Sequence, residues 1–190
     1  MNRVDLRILL KDRYTYPSRI KGKEYPIYTQ LINKKMINVY YDVTCGIKRR
    51  IQGTFPRYIY LSPGFCWALG FFKGEGVNSI INGSYRRFSI INRNPKYIKK
   101  FLDEIINSGL LEKSRLEQRC FQIHHYANVI SKTRKYWAKE LKIPEERIIM
   151  VNDKKSLKKN ENGVCRFDIS NVLLRKIIDL LNEKILKNNV

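Results

Sequence analysis

Residues 68–76 read Ala68-Leu69-Gly70-Phe71-Phe72-Lys73-Gly74-Glu75-Gly76. On a helix, Gly70 and Gly74 are four apart and leave a groove without side chains along one face, where a second helix backbone can approach closely. Phe71 and Phe72 lie off that line, and at least one must turn toward a core. Glu75 falls at the helix C-terminus between two glycines, and its carboxylate there opposes the helix macrodipole. Two such helices packed groove to groove bring two Glu75 carboxylates and two negative helix ends together. Like charges at that range call for protonation or a bound cation. Mg²⁺ (or Mn²⁺) suits them, because such an ion accepts one or two carboxylates together with water and phosphate oxygens. Facing a nucleic-acid backbone, it activates water and stabilises the leaving oxygen of a phosphodiester.

The elements that must hold this segment are well signalled from residue 61 onward. Ser62-Pro63 is an N-cap followed by proline at the first helical position, and Gly76 closes the helix. VNSIIN and SYRRFSII flank Gly83 and predict a hairpin. Asn94-Pro95 opens a second helix, with Ile98, Phe101, Leu102, Ile105 and Ile106 on one face and Gly109 as its stop. In LEQRCFQIHHY, Phe121 and Ile123 alternate with Gln122 and His124, the mark of a half-buried strand. ANVISKTRKYWAKELK predicts an amphipathic helix ended by Pro144. A basic run, DKKSLKKNENG, then leads into a strand, VCRFDIS, where Cys165, Phe167 and Ile169 alternate with Arg166 and Asp168. A last helix runs from Asn171 to about Lys187, with Leu174, Ile177, Ile178, Leu181 and Ile185 as its apolar stripe. The order α-β-β-α-β-(α)-β-α predicts an α+β fold: a four-stranded antiparallel sheet with helices on one face.

Residues 1–57 form an N-terminal basic and aromatic extension before a domain over 58–190. TYPSRIKGKEYP has turn chemistry. Residues 27–52 admit two readings. One is a pair or trio of short helices containing a degenerate helix-turn-helix, with Gly46-Ile47-Lys48-Arg49-Arg50 opening a recognition element. The other is a strand through INVYYDV, rich in β-branched and aromatic residues.

The chain has 190 residues, 38 Lys+Arg against 17 Asp+Glu and a net charge of +21. With 43% hydrophobic and 12% aromatic residues, it can build a core, which excludes wholesale disorder. The excess charge points to a polyanionic partner bound in a salt-dependent way. It is spread along the chain, 13 basic and 4 acidic groups in residues 1–60 and 25 and 13 in residues 61–190, so no basic amphipathic membrane helix stands out. No apolar run is long enough to span a bilayer, and charges interrupt MNRVDLRILLKDRYTYP, so no secretory signal is expected there. An intracellular, cytoplasmic protein that binds nucleic acid is the expectation. Cys45, Cys66, Cys120 and Cys165 form no CxxC pair and read as small buried hydrophobes. Cys120 with His124 and His125 lacks a second ligand pair for zinc. Tyr25, Tyr28, Tyr40, Tyr41 and Tyr58 offer stacking surfaces that would suit an RNA-binding module.

The stretch Ala68–Gly76 resembles the LAGLIDADG motif of homing endonucleases, and the element order behind it is similar to that family's αββαββα core, here with an extra helix before the last strand. The resemblance covers roughly residues 58–188. It implies that Glu75 is the catalytic acid and metal ligand, with Mg²⁺ as cofactor, and that Gly70 and Gly74 line the packed helices. The terminal helix lacks a second G-x-x-x-G-[DE] pattern, so the resemblance implies a homodimer acting on double-stranded DNA at pseudo-palindromic sites. Its two sheets would form a basic saddle along the major groove. Arg87, Gln122, His124 and Arg166 are the strand positions expected to face DNA, since Arg and Gln read guanine and adenine edges. Lys154, Lys155, Lys158 and Lys159 are expected to hold phosphates. Lys73 departs from the family, which usually carries an acid there. Its ammonium would partly neutralise the Glu75 pair, as suits a non-cleaving DNA-binding regulator on the same fold.

Overall fold

Strict alternation in Met36-Ile37-Asn38-Val39-Tyr40-Tyr41-Asp42-Val43 decides between the two readings of residues 27–52. The computed structural model of the chain describes residues 3–15, 23–44, 48–77, 80–81, 84–85, 87–118, 120–125, 130–152 and 162–187. In its first part these are β1 (Arg3–Asp5), α1 (Leu6–Leu10), β2 (Tyr14–Thr15), β3 (Tyr25–Pro26), β4 (Tyr28–Leu31), β5 (Met36–Val43), β6 (Arg49–Pro56) and β7 (Tyr58–Tyr60). Strands β4, β5 and β6 form an antiparallel sheet in that order. Ile37, Val39, Tyr41 and Val43 are buried and the residues between them half-exposed, the period of two that one-sided burial imposes. The helix-turn-helix reading is therefore corrected for the described part of residues 27–52. A β-branched and aromatic run fits a half-buried pleated surface better than a helix. Arg49 and Arg50 open β6 instead of a recognition helix, and Gly46 and Ile47 lie outside the described residues.

The N-terminal part is tied to the rest of the chain. β1 pairs with β7, Arg3 opposite Tyr60 and Asp5 opposite Tyr58, across the boundary expected between residues 57 and 58. Asp5 caps α1 by accepting the Arg7 backbone N–H at 2.9 Å and pairs with Arg57 at 2.9 Å. One connected core runs from Val4 to Leu181.

The second part comprises α2 (Pro63–Glu75), β8 (Ile80–Ile81), β9 (Ser84–Tyr85), β10 (Phe88–Asn92), α3 (Pro95–Asn107), β11 (Phe121–His125), α4 (Ile130–Leu141), β12 (Ile148–Asn152), β13 (Val164–Ile169) and α5 (Val172–Lys187). The caps act as expected. Ser62 Oγ accepts from Phe65 N–H at 3.0 Å, and Asn94 Oδ1 accepts from Lys96 N–H at 3.0 Å. Gly109 leaves α3 with φ +76°, and Asn171 Oδ1 caps α5 by accepting the Leu174 N–H.

The architecture is α+β, and the sheet differs from the expected one. β10, β13, β11 and β12 form a four-stranded sheet in that order, the first three antiparallel and β11 parallel to β12. The sheet is therefore mixed. Its fourth strand is Ile148–Asn152, a segment with no strand period that was not among the expected elements. A parallel neighbour needs a crossover, and α4 supplies it between β11 and β12. The segment expected as one strand, SYRRFSII, is divided, with Ser84–Tyr85 pairing in a hairpin with Ile80–Ile81 and Phe88–Asn92 pairing with β13. Gly83, expected at the hairpin turn, lies outside the described residues.

Phe88, Ile90, Phe121, Ile123 and Phe167 point to the helix side and are buried at 0–1% exposure. Phe88 stacks on Phe72 of α2 at 5.0 Å and on Phe101 of α3 at 5.8 Å, and meets Phe167 edge-on at 6.3 Å. These rings fasten two helices to the sheet's centre. The apolar stripes expected on α3 and α5 are in this core, Ile106 and Ile185 at its margin. Cys120 and Cys165 are buried as expected and Cys66 is half-buried, while Cys45 lies outside the described residues. Burial pushes the Cys120 thiol up to about 12 and Cys165 well above its ordinary value.

Candidate nucleic-acid interface and carboxylate site

The motif helix divides into two faces. Phe65, Ala68, Leu69 and Phe72 are buried, at helical spacings of three and four. Gly70, Lys73, Gly74 and Glu75 are exposed. A Cβ placed on Gly70 or Gly74 would meet nothing within 4 Å, so neither glycine makes room for Trp67 or any other described neighbour. Trp67 instead stacks on Phe71 at 5.1 Å, with the Lys100 ammonium 4.2 Å from its ring. Phe72 is the aromatic that turns inward.

Glu75 is the last residue of α2, and among the described residues its carboxylate makes no hydrogen bond or ion pair. Gly76 then caps the helix, its N–H donating to the Phe72 carbonyl at 2.8 Å. A Cβ on Gly76 would collide with that same carbonyl oxygen, so glycine is required where helix gives way to strand. Gly76 bridges to Ile90, and Val77 N–H donates to the Ser89 carbonyl at 2.9 Å. The carboxylate thus sits at the corner where α2 enters the edge of β10.

Arg175 holds that corner from α5. Its side chain is buried and donates to the Val77 carbonyl at 3.1 Å and to Asp179 at 2.9 Å, with its guanidinium 4.6 Å from the Phe72 ring. Burial pushes the Asp179 carboxyl above its ordinary range, and the hydrogen bond and charge of Arg175 pull the other way. Sequence reasoning missed this role, because Arg175 interrupts a stripe that reads as core alone.

The sheet face opposite the helices gathers the expected strand residues. Cross-strand register places Ile91, Arg166, Gln122 and Ile149 in one row, with Ser89 and Asp168 in the row on one side and Val164, His124 and Val151 in the row on the other. Arg166, Gln122 and His124 are half-exposed, and Arg87 is exposed just ahead of β10. Gly163, with φ +69°, brings the chain into β13 hard against the His124 carbonyl, where a Cβ would not fit. Lys154, Lys155, Lys158 and Lys159 lie outside the described residues.

Asp168 organises this face, and sequence reasoning missed it. Expected as an outward polar position, it is buried, with its side chain 2% exposed. Its Oδ2 accepts from Arg87 at 2.6 Å and lies 3.2 Å from a guanidinium nitrogen of Arg166. Arg166 Nε also donates to Ser89 Oγ at 3.2 Å. One carboxylate thereby orients two guanidinium groups across neighbouring strands, as charge-assisted bonds do. The available signal was a lone acid set among basic residues at an alternating strand position.

Among the described residues, no group of three His, Cys, Asp or Glu side chains converges to hold a metal ion. Glu75 on its own supplies one oxygen-donor carboxylate, the hard-ligand chemistry that a Mg²⁺ site needs in part. A second copy meeting at the open glycine strip would supply the other. Among the described residues, Glu75 alone therefore offers half of such a donor set, and a second Glu75 would complete it. Among the described residues, no helix is long and apolar enough to cross a membrane. A scan against protein-family models and searches of curated proteins and of solved structures find no match.

Proposed function

We propose that the chain is a homodimeric, divalent-metal-dependent endonuclease for double-stranded DNA, built on a LAGLIDADG-like core. The observation that carries this reading is the exposed strip of Gly70 and Gly74, with the unpaired Glu75 carboxylate at its end and an Arg-bearing sheet face beginning beyond it. Two α2 helices packed on their glycines set two Glu75 carboxylates against each other. The two Glu75 carboxylates would hold a Mg²⁺ or Mn²⁺ ion, which when bound would supply an activated water and stabilisation of the leaving oxygen. The chain's own contributions are positional. Arg175 fixes the helix-to-strand corner that aims Glu75. Arg87 and Arg166, steered by Asp168, present guanidinium groups to phosphates or guanine edges, and Gln122 stands in the same cross-strand row as Arg166, with His124 in the next.

A second reading rests on Lys73. It is exposed on the same strip, two residues before Glu75, so dimerisation would bring two ammonium groups toward the carboxylate pair. That weakens the demand for a metal and favours a DNA-binding regulator that does not cut. One experiment separates the two. Under the first reading, purified protein with Mg²⁺ linearises plasmid carrying its target, and Glu75→Gln lowers cleavage at least about 100-fold while retaining binding. Binding with no cutting by the unaltered chain establishes the regulator. A monomer in solution and on DNA, seen by light scattering, removes the shared carboxylate site.

A further inference from the structure

Five tyrosines were candidates for stacking, and the structure sorts them. Tyr25 and Tyr41 are buried in the core, and Tyr58 lies between the guanidinium groups of Arg3 and Arg57 at 4.5 and 4.7 Å. Tyr28 and Tyr40 face outward from adjacent strands and stack at 5.4 Å with an interplanar angle of 27°. From the strand on the other side, the Arg50 guanidinium lies 4.2 Å from the Tyr40 ring and is held by both carboxylate oxygens of Asp42. The result is an ordered pile of three planar groups, Arg50, Tyr40 and Tyr28. Tyr28, on the edge strand and 45% exposed, ends it.

Beside Tyr28 the surface is hollowed. A cavity of about 580 Å³ opens between α1, the turn after it and β4, lined in part by Arg7, Lys11, Arg13, Tyr14 and Tyr28. Tyr14 is 48% exposed, and Asp12 is the single acid in that lining. The volume is that of a small-ligand site. Its contents are two accessible aromatic rings and three cations within one hollow.

We propose that this cleft, with the Tyr28–Tyr40–Arg50 pile at its wall, binds single-stranded RNA. A base enters as the next plane on Tyr28, and the adjoining phosphates are held by Arg7, Lys11 and Arg13. Duplexes keep their base faces stacked internally, so a platform of ring faces serves unpaired bases, which every ring can stack. The open face alongside carries Gln30, Gln52 and Thr54 exposed and Asn38 half-exposed. Amides and hydroxyls both donate and accept, which matches the 2′-hydroxyl that distinguishes RNA from DNA. The inference is independent of the endonuclease reading, since it uses a different sheet and different residues.

The test is fluorescence anisotropy of the full chain with a short labelled oligouridylate, its deoxy counterpart and a DNA duplex, at fixed salt. Oligouridylate binding is expected to weaken about ten-fold in Tyr28→Ala and to return in Tyr28→Trp, with duplex binding unchanged. Replacing Lys11 and Arg13 together by alanine should flatten the salt dependence of oligouridylate binding. Thiouridine photocrosslinking of the unaltered chain should label peptides containing Tyr14 or Tyr28, so the test stands even if a variant fails to fold. Unchanged affinity in a folded Tyr28→Ala protein, crosslinks confined to residues 87–169, or equal affinity for the deoxy strand would each overturn the proposal.

Discussion

The two largest sheets among the described residues solve the same problem with different outward faces. Each buries one apolar face. The β4-β5-β6 sheet does so with Ile37, Val39 and Tyr41, and the β10-β13-β11-β12 sheet with Phe88, Ile90 and Phe167. On the exposed side the first sheet is organised by ring stacking around Tyr40. The second is organised by a buried carboxylate, Asp168, that draws Arg87 and Arg166 inward. Stacked rings present flat faces, whereas fixed guanidinium groups present directed donors. The contrast shows how one strongly basic chain can hold two outward surfaces built on different physics.

The largest effect that separates the sheets should be in their cores. Phe88→Ala removes a ring that touches three other phenylalanines and is expected to cost about 3–5 kcal/mol. Val39→Ala in the first sheet, which deletes far less buried surface, should cost about 1–3 kcal/mol. Urea unfolding of both variants checks the ranking, and equal losses would mean that the second sheet does not hold the main core. Next in size is the outward charge network. Asp168→Asn leaves half-buried Arg166 without its counter-charge and should cost about 1–2 kcal/mol, tempered by the solvent around Arg87.

Asp42→Asn is the matching change on the first sheet, and there the pair with Arg50 is solvent-exposed. It should leave the unfolding midpoint unmoved in high salt, because exposed pairs are screened. Hydrogen bonding to Arg50 holds the Asp42 carboxyl below its ordinary value of 3.8. Its small contribution is thus complete above that pH and fades as pH falls through the depressed value. A pH titration of stability in low salt, with and without Asp42→Asn, reads the difference. Smallest of all, Cys120 and Cys165 should resist a thiol reagent at pH 8 in the folded chain, because their thiols stay protonated and buried. Both should react once urea unfolds the protein.

Much of the second part was legible because its helices announce themselves. Ser62-Pro63 and Asn94-Pro95 cap as expected, the last helix begins near Asn171 as expected, and the stripes of α3 and α5 have one meaning. The alternation of Phe121, Gln122, Ile123 and His124 also set Gln122 and His124 on the face away from the buried Phe121 and Ile123, as the structure has them. Strand Ile148–Asn152 was not legible, since Ile-Ile-Met-Val has no period and follows a proline where a loop is the ordinary expectation. Asp168 was misread for a different reason. Alternation tells which side of a sheet a residue occupies, but neighbouring side chains decide whether that side is covered. The open strip on α2 was readable as a glycine pattern. That the glycines face open space is a fact about the rest of the molecule, which no local spacing contains.

Because β1 pairs with β7, the two ends of the segment from Asp5 to Tyr58 lie a strand's width apart, and α1 and β2 within it pack against α5. A segment anchored at both ends and along α5 cannot trail like a bead on a string, so the hollow beside Tyr28 is kept at a set separation from the Arg-bearing sheet.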